Sequence, residues 1–342
     1  MKAKVSNFIR LISVLSIRKI WNAGLLFWSY HLSRLSKKNL HVGLPLGISI
    51  EPTTTCNLGC PECPSGLRSF SRDTGSVQKE TYQNILDQLA PSLIHTFFYF
   101  QGEPYLSKDF LDMVRYAKKK RIYTSSSTNA HYLNDEMARK TVESGLDRLI
   151  ISIDGTTQEA YEAYRKRGQL SKVIDGTKNL IKWKKELKSS SPHLVFQFLV
   201  VQQNEHQIEE LHDLANELGV DEVVLKTAQV YDYENGNALI PKQEKYSRYK
   251  KLSNGKFELK NKLLNQCWKM WHSCVFTWDG KVVPCCFDKD AQHQFGDVKE
   301  VDFKEIWRSA PYEHFRQSLL VSRSEIDICK NCSEGTKVWA SS

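Results

Sequence analysis

The sequence predicts an α/β protein built on a parallel sheet of six strand–helix units, with a smaller module appended at its C-terminal end. Three observations predict it. Strand-like and helix-like patterns alternate from residue 47, the polar motifs fall just after the strands, and the cysteines lie in two widely separated groups. With 342 residues, 41% of them apolar, the chain has enough material for a large core.

The strand signals are β-branched, aromatic or apolar runs: LGISIE (46–51), HTFFYF (95–100), RIYTSS (121–126), DRLIISI (147–153), HLVFQFLV (193–200) and DEVVLK (221–226). Between them run helix-period segments. Phe110, Met113, Val114 and Ala117 recur at i, i+3, i+4, i+7 behind Ser107 as the expected cap. The helix after the fifth strand is expected to start at NEHQ, with Asn204 and Gln207 as a cap pair, and to stop at Gly219. Repeated β-then-α units imply parallel strands, because each crossover returns the chain to the same edge. Six units fall short of the eight of a closed barrel, so a partial barrel or an open doubly wound sheet is expected.

Parallel α/β sheets bind ligands at the carboxyl ends of their strands. There the sequence places, in order, EPTTTCNLGCPEC, QGEP, STNA, SIDG, VQQNE and KT. The first holds Cys56, Cys60 and Cys63, spaced C-x3-C-x2-C. Three thiolates hold three irons of a 4Fe–4S cubane and leave the fourth iron without a protein ligand, an open position of the kind catalytic metals use. On spacing alone, zinc completed by a distant His or Cys is the alternative.

These motifs resemble the radical S-adenosylmethionine (radical SAM) enzymes. The resemblance implies a partial (β/α)6 barrel, with Cys56, Cys60 and Cys63 holding a 4Fe–4S cluster whose open iron binds the amino and carboxylate groups of S-adenosyl-L-methionine. Reductive cleavage then yields a 5′-deoxyadenosyl radical that abstracts a substrate hydrogen. A low-potential cluster favours burial and few neighbouring cations. Gly102, Glu103 and Pro104 match the last three positions of the family's G-G-E-P, whose backbone receives the methionine amino group; Gln101 replaces the first glycine. Ser152 and Asp154 match positions near the ribose or carboxylate, and Asn129 stands where a polar contact is expected. Arg165 either pairs with the cofactor carboxylate or is a solvated helix charge. Glu62 stands before the third cysteine, where many members carry an aromatic residue that stacks near adenine.

The second cysteine group reads C-x12-G-x4-C and then C-x2-C: Cys267, Gly280, Cys285, Cys329 and Cys332. It resembles the SPASM and twitch modules, small α+β iron–sulfur units behind the radical SAM barrel. No cysteine follows Cys332 in this sequence, so the resemblance implies one auxiliary 4Fe–4S cluster, held by Cys267, Cys285, Cys329 and Cys332. Cys274 and Cys286 are alternative ligands or small buried apolar residues. Four cysteines in two pairs also suit structural zinc. The expected organisation is residues 1–46 as a basic amphipathic extension, 47–230 as the core, 231–266 as a linker and 267–342 as the auxiliary module.

Residues 1–46 hold eight Lys and Arg and no acid, leaving about +1 of the total +9 for the rest. Nucleic acid is therefore not an expected partner. The longest uncharged run, Ile20–Ser33, is 14 residues, short of a membrane span. Interspersed charges also disfavour a signal peptide. The segment is read either as an amphipathic helix on an anionic membrane, with Trp21, Phe27 and Trp28 at the interface, or as a helix packed on the body. A cytoplasmic location, with possible membrane association, is expected.

A fully cysteine-ligated auxiliary cluster is an electron acceptor, so the expected reaction is hydrogen abstraction followed by two-electron oxidation of a small molecule such as a sugar or cyclitol. The alternatives are a SPASM-type peptide or protein maturase, and a non-catalytic iron–sulfur or zinc protein. Flavodoxin or ferredoxin is the expected electron donor. Asp232, Tyr231 and Tyr233, just past the sixth strand, are positional candidates for the general base.

Overall fold

The computed structural model of the chain describes residues 2–332. The strands are β1 (Gly47–Ile50), β2 (His95–Phe97), β3 (Tyr123–Thr128), β4 (Arg148–Ser152), β5 (His193–Val200), β6 (Glu222–Thr227), β7 (Tyr249–Lys251), β8 (Phe257–Leu259), β9 (Ser273–Phe276), β10 (Lys281–Val283) and β11 (Gly296–Asp297). The helices are α1 (Lys2–Ser13), α2 (Ile17–Ser36), α3 (Pro64–Leu67), α4 (Lys79–Leu89), α5 (Phe110–Lys119), α6 (Asp135–Glu143), α7 (Gln158–Tyr164), α8 (Leu170–Glu186), α9 (Ile208–Leu218), α10 (Lys269–His272), α11 (Phe303–Trp307) and α12 (Ala310–Ser322).

All six expected strands form. They pair in chain order, all parallel, with Gly47 opposite His95 and Ser125 opposite Arg148. The second strand ends three residues early, at Phe97, so Tyr99 and Phe100 sit on the turn that leads into QGEP. β5, which pairs with β4 and with the edge strand β6, is buried for most of its length.

The cysteine-rich end of the chain contributes strands to this sheet. Among the described residues the sheet has nine strands, ordered β11-β10-β9-β1-β2-β3-β4-β5-β6. β9 lies parallel to β1, with Gly47 opposite Ser273 and Ile50 opposite Phe276, and pairs antiparallel with β10. An exposed β1 would present a row of unpaired backbone groups, and β9 covers that edge. Glu51 fastens the joint. Its buried carboxylate accepts two hydrogen bonds from Arg72 (2.8 and 2.6 Å) and one from the Trp278 amide (3.1 Å).

Two expected caps are not used. Asp109, not Ser107, precedes α5, and the buried Ser107 hydroxyl has no partner among the described residues. The predicted apolar face is nonetheless the one that packs, with Phe110, Met113, Val114 and Ala117 buried. Gln207 stands at the N-cap of α9, but neither its side chain nor that of Asn204 bonds the first amides of the helix. Asn204 donates instead to the carbonyls of Asp154 and Leu199, and Gln207 accepts from the Thr156 amide, so both brace the loop after β4. Gly219 does end α9 in the left-handed conformation, φ 81°.

The N-terminal helices α1 and α2 meet at 93° and pack beneath the amino ends of the strands. Lys19 reaches the Arg121 carbonyl (2.7 Å), Asn7 accepts from the Tyr123 hydroxyl (2.6 Å), and Tyr30 packs beside Trp268 and Trp271. No single helix among the described residues is long and apolar enough to cross a membrane.

Candidate active site

The loop after β1 winds back on itself. The Cys63 amide donates to the Cys60 carbonyl (3.3 Å), and Cys63 precedes the short helix α3, whose first residue is Pro64. Gly66 lets that helix press onto the loop: a Cβ there would lie 2.6 Å from both the nitrogen and the carbonyl oxygen of Cys60. Cys56, Cys60 and Cys63 consequently line one cavity of about 220 Å³ at the carboxyl ends of the strands. Burial pushes the Cys56 thiol up to about 11 and raises Cys60 as well.

The turn after β2 is pinned against this loop. The Glu103 amide donates to the Thr55 carbonyl (2.8 Å), and the Gly102 amide donates to the Ser65 hydroxyl (2.9 Å). Gly102 adopts φ +73°, and a Cβ there would stand 2.2 Å from the Thr53 carbonyl oxygen. Gly102→Ala is therefore expected to cost about 2 kcal/mol or more and to part the two loops. Thermal denaturation beside cofactor titration would check this; an unchanged midpoint would contradict it. Pro104 opens a single 3₁₀ turn and is buried behind the loop, outside the cavity lining.

Glu103 is buried, and its carboxylate accepts from the Thr128 hydroxyl (2.7 Å), the Asn129 amide (2.7 Å) and the Tyr105 amide (3.3 Å). Burial pushes its pKa up to about 7, with these donors pulling the other way. A carboxyl raised in the folded state binds its proton more tightly there. Its contribution to stability is complete below the ordinary value of 4.5 and is lost as pH rises through about 7. The apo protein is thus expected to lose on the order of 3 kcal/mol more than Glu103→Gln between pH 4.5 and 8. Parallel denaturation curves for the two proteins would contradict the assignment.

Arg165 follows α7 and is turned into the cavity, half-buried rather than solvated. Its Nε donates to Asp154 Oδ2 (2.5 Å) and its Nη1 to Cys60 Sγ (3.8 Å). Asp154 is fully buried, and its other oxygen accepts from the Leu199 amide (2.7 Å), so it orients Arg165 from behind the cavity wall. Few neighbouring cations were expected around the cluster. Arg165 is one, and Asp154 offsets its charge. Ser152 and Asn129 both line the cavity, and Asn129 Nδ2 donates to Asn57 Oδ1 (2.8 Å). Tyr99, Phe100, Tyr164 and Gln197 complete the wall. Nothing in their sequence setting marked them: aromatic residues beside a strand or helix end read as core, and Gln197 lies within β5.

Glu62 makes a link between segments: its carboxylate accepts from the Tyr231 amide (2.9 Å), and its carbonyl from Lys289 Nζ (3.2 Å). The general-base candidates lie elsewhere than the barrel cavities. Tyr231 is exposed under Lys289, and Tyr233 stacks on Tyr249. The exposed Asp232 likewise lines none of the barrel cavities.

Of the second cysteine group, Cys267, Cys329 and Cys332 share the field of Arg323. The Arg323 guanidinium donates to the Gln266 carbonyl (2.7 Å) and to Cys332 Sγ (3.4 Å). Cys285 has Cys286, Lys269 and Cys267 as its titratable neighbours. Asn331, between Cys329 and Cys332, donates to the Val230 carbonyl (2.7 Å) and accepts from the Tyr249 hydroxyl (3.0 Å), which ties this pair to the exit of β6. Cys274 lies on β9, buried, with Arg316 as its charged neighbour. Cys286 faces the barrel, its sulfur 3.3 Å from Lys269 Nζ. Among the described residues no three Cys, His, Asp or Glu side chains converge on one metal ion. Cubane ligands need not do so, because each thiolate binds its own iron.

The sequence pattern of the radical SAM superfamily matches residues 50–224, about half of the chain, and that of the SPASM iron–sulfur cluster-binding domain matches residues 267–333. The chain belongs to the radical SAM superfamily. It is similar to the tungsten-containing aldehyde ferredoxin oxidoreductase cofactor-modifying protein of Pyrococcus furiosus, 28% identical over 320 residues, covering 83% of this chain and 86% of that one. It is also similar to the PqqA peptide cyclase of Gluconobacter oxydans, 22% identical over 315 residues, covering 86% and 84%. Among solved structures, Streptococcus suis SuiB bound to S-adenosylmethionine superposes with TM-score 0.64 at 17% identity, covering 90% of this chain and 76% of SuiB. Native anSMEcpe with bound AdoMet gives 0.61 at 17%, covering 86% and 92%. At these identities the likeness is one of fold.

As a radical SAM enzyme with a SPASM module, the protein uses 4Fe–4S clusters and S-adenosyl-L-methionine. The residues present fit the first cluster and its cosubstrate. Three thiols, one buried and two half-buried, a backbone turn held open by a glycine and a preoriented guanidinium face one cavity.

Proposed function

We propose that the chain oxidises a small molecule by two electrons inside the barrel. The observation that carries this is a second cavity, of about 400 Å³, which shares Tyr99 and Phe100 with the cofactor cavity and has Cys267 and Cys286 in its wall. A molecule held there lies between the site of hydrogen abstraction and an auxiliary cysteine. In this reading Cys56, Cys60 and Cys63 hold the first cluster, and Cys267, Cys285, Cys329 and Cys332 hold a single auxiliary one.

With its cofactors bound, the enzyme supplies a 5′-deoxyadenosyl radical for hydrogen abstraction and an auxiliary cluster to take the second electron. The chain does the rest. The backbone of Gly102 and Glu103 receives the methionine amino group, while Arg165, held by Asp154, offers its second nitrogen to the carboxylate. Ser152 and Asn129 offer hydrogen bonds to the ribose side. The volume suits a drug-sized or smaller molecule, and its walls are mostly apolar, with Ser49, His95, Gln266, Lys269, His272 and Ser273 among the polar exceptions. A reduced flavodoxin or ferredoxin in the cytoplasm, where cysteines stay reduced and free to ligate iron, would supply the first electron.

A peptide substrate is the second reading. It is favoured by the relatives, one named a peptide cyclase and one solved with the precursor peptide SuiA. The two separate in one experiment. The reduced enzyme is given S-adenosylmethionine and a fully deuterated cell extract, split by size at about 1 kDa. Deuterium entering 5′-deoxyadenosine from the small fraction supports the small-molecule reading; transfer from the larger fraction alone would replace it with the peptide reading.

A further inference from the structure

The helices α1 and α2 turn many polar side chains inward and most of their large apolar ones outward. On α1 the residues turned toward the body include Asn7 and Arg10 beside Leu11, and on α2 they are the polar Lys19, Asn22, Ser29 and Ser33 beside the apolar Leu26 and Tyr30. Each of these polar groups has a hydrogen-bond partner: Asn22 binds both the amide and the carbonyl of Leu44 (2.9 and 2.7 Å), and Arg10 bonds Ser190 beside its ion pair with Asp147. The opposite faces, at i, i+3, i+4, i+7 spacing, are apolar and point away from the body: Val5, Phe8, Ile9 and Ile12 on α1; Ile17, Ile20, Trp21, Trp28 and Leu35 on α2. Ile17 is 88% exposed, Trp21 70%, Trp28 66% and Leu35 84%. Of the nineteen large apolar side chains exposed among the described residues, thirteen fall in residues 5–42, so the patch is a property of this segment rather than of the surface.

We infer that this face docks on an anionic lipid bilayer. Charge selects the occupant. Lys4, Arg18, Arg34, Lys37 and Lys38 are exposed around the apolar stripe, and the first 46 residues contain no acid to oppose them. An apolar stripe rich in Trp, Phe and Leu with a purely cationic rim is the composition of a helix lying in a phospholipid interface. Neither helix is long and apolar enough to span the membrane. Two helices meeting at 93° define a plane, and their inward hydrogen bonds hold that platform rigidly to the barrel. Asn7 and Leu11 of α1 also line a chamber inside the barrel of about 540 Å³, which shares Tyr99 with the cofactor cavity. Docking thus places the membrane at the barrel end opposite the cysteine loop, directly beneath the barrel's interior.

The test is co-sedimentation of the full reconstituted chain with vesicles of phosphatidylcholine alone or with about one third phosphatidylserine, at low and high salt. The expected result is binding to the anionic vesicles, weakened by salt, with the Trp21→Glu/Trp28→Glu double variant bound at least about tenfold less tightly. Because both tryptophans are exposed, the variant is expected to keep the wild-type circular dichroism and the same rate of S-adenosylmethionine cleavage. Equal affinity for neutral vesicles would overturn the anionic assignment. Failure to sediment with either vesicle would overturn the proposal altogether. So would a wild-type dimer that the double variant converts to monomer, since a second copy would then cover the face.

Discussion

Cys60→Ala is expected to abolish S-adenosylmethionine cleavage, a loss of more than about a thousandfold, because the cluster carries the difficult chemistry and the protein positions it. Cys60 is the most constrained of the three thiols. Its backbone touches Gly66, its carbonyl accepts from Cys63, and its sulfur faces Arg165. The fold is expected to survive, since the six-stranded core lies behind the loop and the serine-sized space left is small. The measurement is anaerobic reconstitution followed by iron analysis, the reduced-cluster paramagnetic signal and 5′-deoxyadenosine formation. The variant should retain the auxiliary iron, about four atoms per chain, and form no nucleoside. Nucleoside formation at wild-type rate would remove Cys60 from the ligand set.

The second large effect separates the two clusters. Cys267→Ala and Cys332→Ala are each expected to halve the iron content while leaving 5′-deoxyadenosine formation within about threefold of wild type, since the first cluster is held by other residues. Oxidised product, by contrast, should fall below detection, because the substrate radical has lost its acceptor. Cys274→Ala is the control. That thiol lies on β9 with Arg316 as its charged neighbour, away from Arg323, and its replacement should leave the iron count unchanged. If Cys274→Ala lost iron and Cys267→Ala did not, the auxiliary set would have to be redrawn around β9.

Much of the site was legible because its chemistry is local in the chain. Three thiols within eight residues and a Gly-Glu-Pro turn are set by spacing, and both fall at strand ends where a parallel sheet binds ligands. What was illegible depended on partners far away in sequence. Asp154 reads as a ligand contact, yet it is the buried brace of Arg165, which itself read equally well as a solvated charge. Ser107 and Asn204 are good capping residues, but Asn204 is drawn to carbonyls of the β4 and β5 ends, which only the folded sheet brings near. The pairing of β9 with β1 joins strands more than two hundred residues apart and leaves no local trace beyond a short apolar run. The N-terminal helices show the limit most plainly. Periodicity reveals that a helix has two faces but not which one meets the body, and here a mixed face, with Lys19, Asn22, Ser29 and Ser33 beside Leu26 and Tyr30, does.

The central claim is that one chain carries a cleaving cluster and an oxidising one. The most direct test is to reconstitute the full wild-type protein anaerobically, count iron and sulfide, reduce it with dithionite and assay 5′-deoxyadenosine from added S-adenosylmethionine. About eight irons per chain together with nucleoside formation is the predicted result. Four irons, zinc in place of iron, or eight irons without any cleavage would contradict it.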